Sequence, residues 1–350
     1  MLIIIIVIVG LSLLILTHEA GHFWVAKLCG LKVDEFGFGF PPRIKAWKRG
    51  ETEYSVNWLP FGGFVRISGE RGETAVWNGA GDAPRSEAER KRLFFSQPAW
   101  KKSVIVLAGV FVNFIIGWLL ISAVLMIGTP QALIISGIQP DSPAAQAGIM
   151  AGDVVKGYAT SQSFIDYINA HRGEPTAIAV LRNDKEIDFT VTPRAVTAPD
   201  QGAVGVELED AGAPREAPLP ALWDGLLSAG LLFWLTLAAF GQLVAQLFTH
   251  GSLLPGVVGP VGIVSVAEEA GKIGLTYLIQ FIGLISINLT VVNLIPFPAL
   301  DGGRFLMVLI EKIKGSAVPE KFEAWVNGIG FALLILLMVA LTVRDVGGLI

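Results

Sequence analysis

Charge is scarce in this chain. Only 16% of its 350 residues are Asp, Glu, Lys or Arg, where a soluble domain has about 25%. The formal net charge of −4 excludes the strongly basic surface that nucleic acid binding requires. A single cysteine, Cys29, rules out an internal disulfide and reads as a small buried hydrophobe. The amino terminus has no basic stretch, and its apolar run leads into His18 rather than a small-residue cleavage site. A secretory signal peptide is therefore not expected.

What the chain has instead is apolar length, with 53% hydrophobic residues gathered in long runs. A helix needs about 20 apolar residues to span a bilayer core. Segments 2–26, 103–128, 276–298 and 324–343 meet that need. A fifth, 221–248, is long enough but carries Asp224, Gln242 and Gln246, and glycines interrupt it. Between the first two spans, residues 29–102 hold 13 Lys/Arg, with Lys101 and Lys102 at the membrane edge. Residues 129–220 hold 6 Lys/Arg against 12 Asp/Glu. The positive-inside tendency puts 29–102 in the cytoplasm and 129–220 outside.

The outer region opens with "SGIQPDSPAAQAGIMAGDVVKGY" at 136–158, then a helical stretch near 161–171 and the runs "TAIAVLR" and "EIDFTVTP". Turns are expected at Ala151-Gly152-Asp153 and Asn183-Asp184. The "SPAAQAGI…GD" pattern closely resembles a PDZ domain of the bacterial protease type. Such a domain takes a peptide C-terminus or an extended peptide by strand addition. One copy is found. Residues 198–220, rich in Pro, Ala and Gly, read as a linker. On the cytoplasmic side, residues 33–69 alternate aromatic and β-branched residues with glycines and predict short β-hairpins, with an edge open to an unwound substrate. Residues 70–98 read as irregular.

The chemistry sits at "LTHEAGHFW", residues 16–24. His18 and His22 are four apart and share one helix face. Two imidazoles at that spacing can hold one zinc ion, and Glu19 between them can take a proton from an activated water. Ionisable residues inside a membrane helix are costly and mark function. Catalytic zinc needs a third protein ligand. His171 falls in the outer domain and His250 near the outer membrane edge. Asp301, in "NLTVVNLIPFPALDGGR", is the one acid between Glu269 and Glu311. Pro296 and Pro298 disturb the helix beside it, and Asp301 is the expected third ligand. The three ligands can share one depth only if the first span and the one before Asp301 both run inward. Segment 221–248 must then lie in the outer interface or dip in and return.

Together these motifs resemble the site-2 protease family of intramembrane zinc metalloproteases, in particular the bacterial regulator of sigma-E protease type. "HEAGH", "GFGF", "LPFGGFVRISGE", "SPAAQAGIMAGD", "GPVGI" and "NLTVVNLIPFPALDGG" carry the resemblance over nearly the whole chain. It implies His18, His22 and Asp301 as Zn2+ ligands, Glu19 as catalytic acid/base, and Asn288 and Asn293 as groups that hold substrate or transition state. Packing hydrogen bonds are the alternative for the two asparagines. The resemblance also implies an amphiphilic membrane-associated helix at 221–248. The type usually carries two tandem PDZ domains where one is found here.

The expected fold is a polytopic α-helical membrane protein. It has a four-transmembrane-helix core, a membrane-associated cytoplasmic β-rich loop and one extracytoplasmic PDZ-like domain. The divisions are 1–28, 29–102, 103–128, 129–197, a linker at 198–220, a membrane-associated helix and loop at 221–275, 276–300, a cytoplasmic loop at 301–323, and 324–343. The expected setting is the bacterial inner membrane, with both termini extracytoplasmic and lipid all around. The expected substrate is a single-span transmembrane protein such as a pre-trimmed anti-sigma factor. Degradation of remnant signal peptides by the same chemistry is an alternative. A catalytically silent PDZ scaffold would need neither Glu19 nor Asp301, and a metal transporter would show inverted repeats.

Overall fold

The computed structural model describes residues 2–70, 86–158, 160–182, 185–198, 201–250 and 259–347. The turn expected at Asn183-Asp184 and most of the irregular stretch at 70–98 lie outside these residues. In chain order the elements are α1 (Leu2–Leu28), β1 (Val33–Arg49), β2 (Thr52–Ile67), α2 (Glu87–Arg90), α3 (Ala99–Ile127), β3 (Ala132–Ile138), α4 (Pro143–Ala147), β4 (Val154–Val155), α5 (Ser161–Ala170), β5 (Thr176–Arg182), β6 (Lys185–Val191), β7 (Val206–Ala211), α6 (Pro218–His250), α7 (Pro260–Ile273), α8 (Leu275–Leu294), α9 (Asp301–Lys314) and α10 (Glu320–Gly347). They form two compact units, Met1–Val124 with Leu219–Ile350, and Leu125–Pro218.

Among the described residues, α1, α3, α6, α8 and α10 are each long and apolar enough to cross a membrane. The chain is a multi-pass helical membrane protein. Exposed Leu13, Phe111, Leu119, Trp325 and Phe331 are at home in lipid. Helix directions follow from neighbours. On α1, Val7 packs with Leu278 of α8, a Cβ on Gly10 would meet Ile282, and His18 and His22 reach Asp301 just past α8. Thus α1 and α8 are parallel. On α3, Asn113 adjoins His18 and Ile105 adjoins His22, so α3 runs the opposite way. A Cβ on Gly330 of α10 would meet Pro298, and Leu341 lies against Gly259. Small residues set these approaches, as in lipid they must. A Cβ at Gly117 would stand 2.6 Å from Ile287 Cδ1.

The pair β1–β2 is antiparallel and bends, so that 33–38 is flanked by 53–56 on one side and 63–67 on the other. Burial alternates along 33–40 as a pleated strand requires. Val33 and Ile67 pack with Phe23, Ala26, Leu31, Phe94, Ile105 and Val106, which seats the sheet on α1 and α3. Buried Glu35 is paired with Arg43 and Arg66.

Two expectations need correction. Segment 221–248 is not interrupted by its glycines; it lies within α6, one unbroken 33-residue helix. Gly225 is where α6 meets α3, since a Cβ there would stand 2.2 Å from Ser122 Oγ. Packing of that kind offsets glycine's poor helix propensity. An unbroken helix also removes the dip-and-return alternative. The second correction concerns 198–220, which is not a plain linker. It contains β7, antiparallel to β3 with Leu208 opposite Ile135. Along "VELE" the alternation half-buries Val206 and Leu208 and leaves Glu207 and Glu209 exposed.

In the unit Leu125–Pro218 the sheet order is β6-β5-β4-β3-β7. Leu133, Ile135, Val155, Phe164, Ile168, Ile178 and Val180 fill its core. The sequence explains the α4 corner. Ser142 caps the helix by accepting from Ala145 N, Pro143 sits in its first turn, and Gly148 ends it at φ 87°. Buried Asp153 accepts from Arg182 at 2.7 Å and from Met150 N at 2.9 Å.

The Arg182 hydrogen bond, helped by Met150 N–H, holds the Asp153 carboxyl below its ordinary range against the opposing effect of burial. Its stabilising effect is complete above the unfolded value near ~4 and is lost as pH falls through the lower folded value. Asp153→Asn should lower the melting temperature of this unit at pH 7 by roughly 4–8 °C. The gap to wild type should narrow in thermal melts as pH falls below the unfolded value and through the lower folded one.

Candidate metal centre

Helix α1 delivers its two histidines one turn apart. His18 and His22 are both buried, and their rings meet edge to face at 4.8 Å. Asp301 arrives from the far end of the chain. Helix α8 stops at Leu294 because Pro296 and Pro298 cannot continue it. The chain turns through Ala299, whose φ is 72° and whose N–H donates to Asn327 Oδ1. Asp301 then begins α9. Gly302 and Gly303 allow this start: a Cβ on either would stand 2.2 Å from a carbonyl oxygen of the turn, Ile295 or Phe297.

The three groups converge. His18 Nε2 and His22 Nε2 lie 3.0 and 3.3 Å from Asp301 Oδ2 and 3.3 Å from each other. Ligands about 2.0 Å from a tetrahedral zinc ion stand roughly 3.3 Å apart. Asp301 Oδ2 is buried and makes no hydrogen bond among the described residues. His22 Nδ1 lies 2.8 Å from the Ile105 carbonyl, so it donates there and turns the Nε2 lone pair toward the centre. Two nitrogens and one oxygen at tetrahedral spacing fit zinc.

Helix α3 passes so closely that Gly109 faces the histidines, and a Cβ there would stand 2.5 Å from His22 Nε2. Glu19 lies beside these three groups and accepts from Val65 N–H at 3.1 Å. Val65 belongs to the outer edge of the bent sheet, residues 62–67. A cavity of about 200 Å³ opens here, lined by Glu19, His22, Asp301, Glu70 and Arg304 on its polar side and by Phe64, Val65, Ile67, Ile105 and Val106 on its apolar side. Arg304 pairs with Glu70, and Glu70 also accepts from Ile67 N–H.

The expected His18, Glu19, His22 and Asp301 are thus together. Asn288 and Asn293 do not line this cavity. Asn288 instead accepts from Thr236 of α6 at 2.8 Å, a helix-packing bond. His171 lies in the other unit, bonded to Tyr167 O. Sequence reasoning passed over Gly109, Asn113 and Val65. Asn113, a lone amide in "VFVNFII", carried a signal that could have been used. Val65 acts through its backbone and carried none.

The profile of Peptidase family M50 matches residues 6–337. The zinc metalloprotease RasP of Geobacillus kaustophilus is 31% identical over 414 residues, covering 97% of this chain and 96% of that protein. The regulator of sigma-W protease RasP of Bacillus subtilis is 29% identical over 410 residues, covering 95% of each.

Gly109→Ala should displace both imidazoles while leaving the chain folded. The expected result is zinc content far below one ion per chain by atomic absorption, with helical circular dichroism unchanged.

Proposed function

From the premise that this chain belongs to peptidase family M50, we propose that His18, His22 and Asp301 hold the zinc ion of this site-2 type metalloprotease and that Glu19 is its catalytic acid/base. The single observation that carries the reading is the set of ligand spacings, 3.0, 3.3 and 3.3 Å, with Glu19 on the same cavity.

Zinc, when bound, supplies Lewis acidity toward water and the scissile carbonyl. The residues of the chain do the rest. Glu19 takes the proton of the attacking water and returns it to the leaving amide nitrogen. The Val65 N–H fixes the Glu19 carboxylate in place. The edge 62–67 receives the unwound substrate as an added strand. Its Val65 and Ile67 side chains and those of Ile105 and Val106 exclude bulk water.

The substrates are single-span transmembrane proteins, a trimmed anti-sigma factor being the leading class. The name of the Bacillus subtilis relative, a regulator of sigma-W protease, supports that class. The enzyme sits in the bacterial cell membrane with a core of α1, α3, α8 and α10, both termini outside. Residues 125–218 form one extracytoplasmic PDZ-like domain that binds extended peptide. Helix α6 does not cross. Support comes from the parallel packing of α1 and α8, because two crossings between them, by α3 and α6, would make them antiparallel. Asn288 and Asn293 hold substrate, which for Asn288 requires α6 to carry Thr236 away from it.

Glu19→Gln should keep its zinc and lose cleavage of a tagged single-span peptide in detergent by about 10²–10⁴-fold. Equal cleavage by the variant, or a variant that binds no zinc, contradicts the assignment.

A further inference from the structure

A histidine that ligates through Nε2 carries its proton on Nδ1, and that proton needs an acceptor. His22 has one in the Ile105 carbonyl oxygen at 2.8 Å. For His18 the group in place is the carboxamide of Asn113, placed with its amino nitrogen Nδ2 3.2 Å from Nδ1. Asn113 is 1% exposed, in the middle of α3. Its Oδ1 is buried with no hydrogen-bond partner among the described residues.

A carboxamide has two faces, and a half-turn of its terminal torsion exchanges them. With the amino group toward His18, Nδ1 must be the acceptor and the ring proton sits on Nε2. With Oδ1 toward His18, Nδ1–H donates and Nε2 is free to ligate. The orphaned Oδ1 is thus the acceptor that the ligating tautomer requires. Neither a carboxylate nor an apolar side chain can serve both tautomers.

The residue is held where this exchange can happen. Ser286 of α8 donates to the Asn113 carbonyl oxygen at 2.7 Å, and Thr290 donates to Ser286 O at 2.9 Å. These bonds lie in the helix that leads to Asp301, so one buried network ties the support of His18 to the strand of chain that supplies the third ligand. The Asn113 side chain remains free of this network and faces the imidazole.

We propose that Asn113 is a positioning residue for the metal centre, whose Oδ1 accepts the Nδ1 proton of His18 and fixes the tautomer that binds zinc. This rests on the reading of His18, His22 and Asp301 as the zinc ligands.

The test is zinc affinity of the purified full chain, measured by competition with a chromophoric chelator, for wild type, His22→Ala, Asn113→Leu, Asn113→Ala and Asn113→Asp. Wild type should bind one zinc ion and His22→Ala should lose it. If wild-type binding does not depend on His22, the ligand assignment itself falls. With that secured, Asn113→Leu and Asn113→Ala should each bind zinc about 10–100-fold more weakly. Asn113→Asp keeps an acceptor at the same place and should stay within about threefold of wild type. Packing alone would not produce that rescue. Wild-type affinity in Leu or Ala, or equal weakness in Asp and Leu, overturns the proposal. The Ala variant keeps the test decisive if Leu does not fold.

Discussion

Two imidazoles and a carboxylate standing within 3.3 Å of one another inside an apolar helix bundle are costly to bury. Much of the surrounding structure exists to hold them there. Helix α3 carries glycine at Gly109, and α1 carries Gly21 against the Ala108 carbonyl, so the two backbones approach far more closely than side chains would allow. The break after Leu294 lets Asp301 leave the line of α8 and begin a new helix at the depth of His18. Irregular backbone is tolerated at such depth because it lines a polar cavity rather than facing lipid.

The second requirement is access for an extended peptide. A transmembrane helix hides its amides in internal hydrogen bonds, so a protease acting on one needs a place for an unwound strand. The bent β1–β2 sheet puts an edge beside Glu19. On that edge alternate N–H groups already point toward the cavity, Val65 to Glu19 and Ile67 to Glu70. The Glu70–Arg304 pair lines the cavity and ties the turn after β2 to the first turn of α9. Lys102 and Glu311, 3.0 Å apart, tie α3 to the same helix. Ion pairs thus connect α9, which begins at Asp301, with α3 and with the turn after β2.

Much of the site was legible because it was local or rare. The spacing of His18 and His22 needs only helix geometry, and Asp301 stood out as the lone acid in a long apolar stretch. The parts that were not legible depend on distant neighbours. Nothing in "FVRIS" says that Val65 N–H meets Glu19. Nothing in "VLAGVF" says that Gly109 faces two histidines. Strand β7 was hidden because its acids at 207, 209 and 210 suppress the apolar signal, though its alternation was there to read. The glycines of α6 looked like breaks, since a sequence does not reveal the partner that makes a glycine useful. Asn288 shares a motif with Asp301, and its bond to Thr236 of α6 is another contact that no local pattern reveals.

The measurement closest to the central claim is X-ray absorption at the zinc edge of the purified chain. Two imidazole nitrogens and carboxylate or water oxygens at about 2.0–2.2 Å are expected, with no sulfur. The same spectrum from Asp301→Ala should lose an oxygen neighbour or lose zinc altogether. A sulfur shell near ~2.3 Å, which could come only from Cys29 or a methionine, or a spectrum unchanged by Asp301→Ala, would contradict the account.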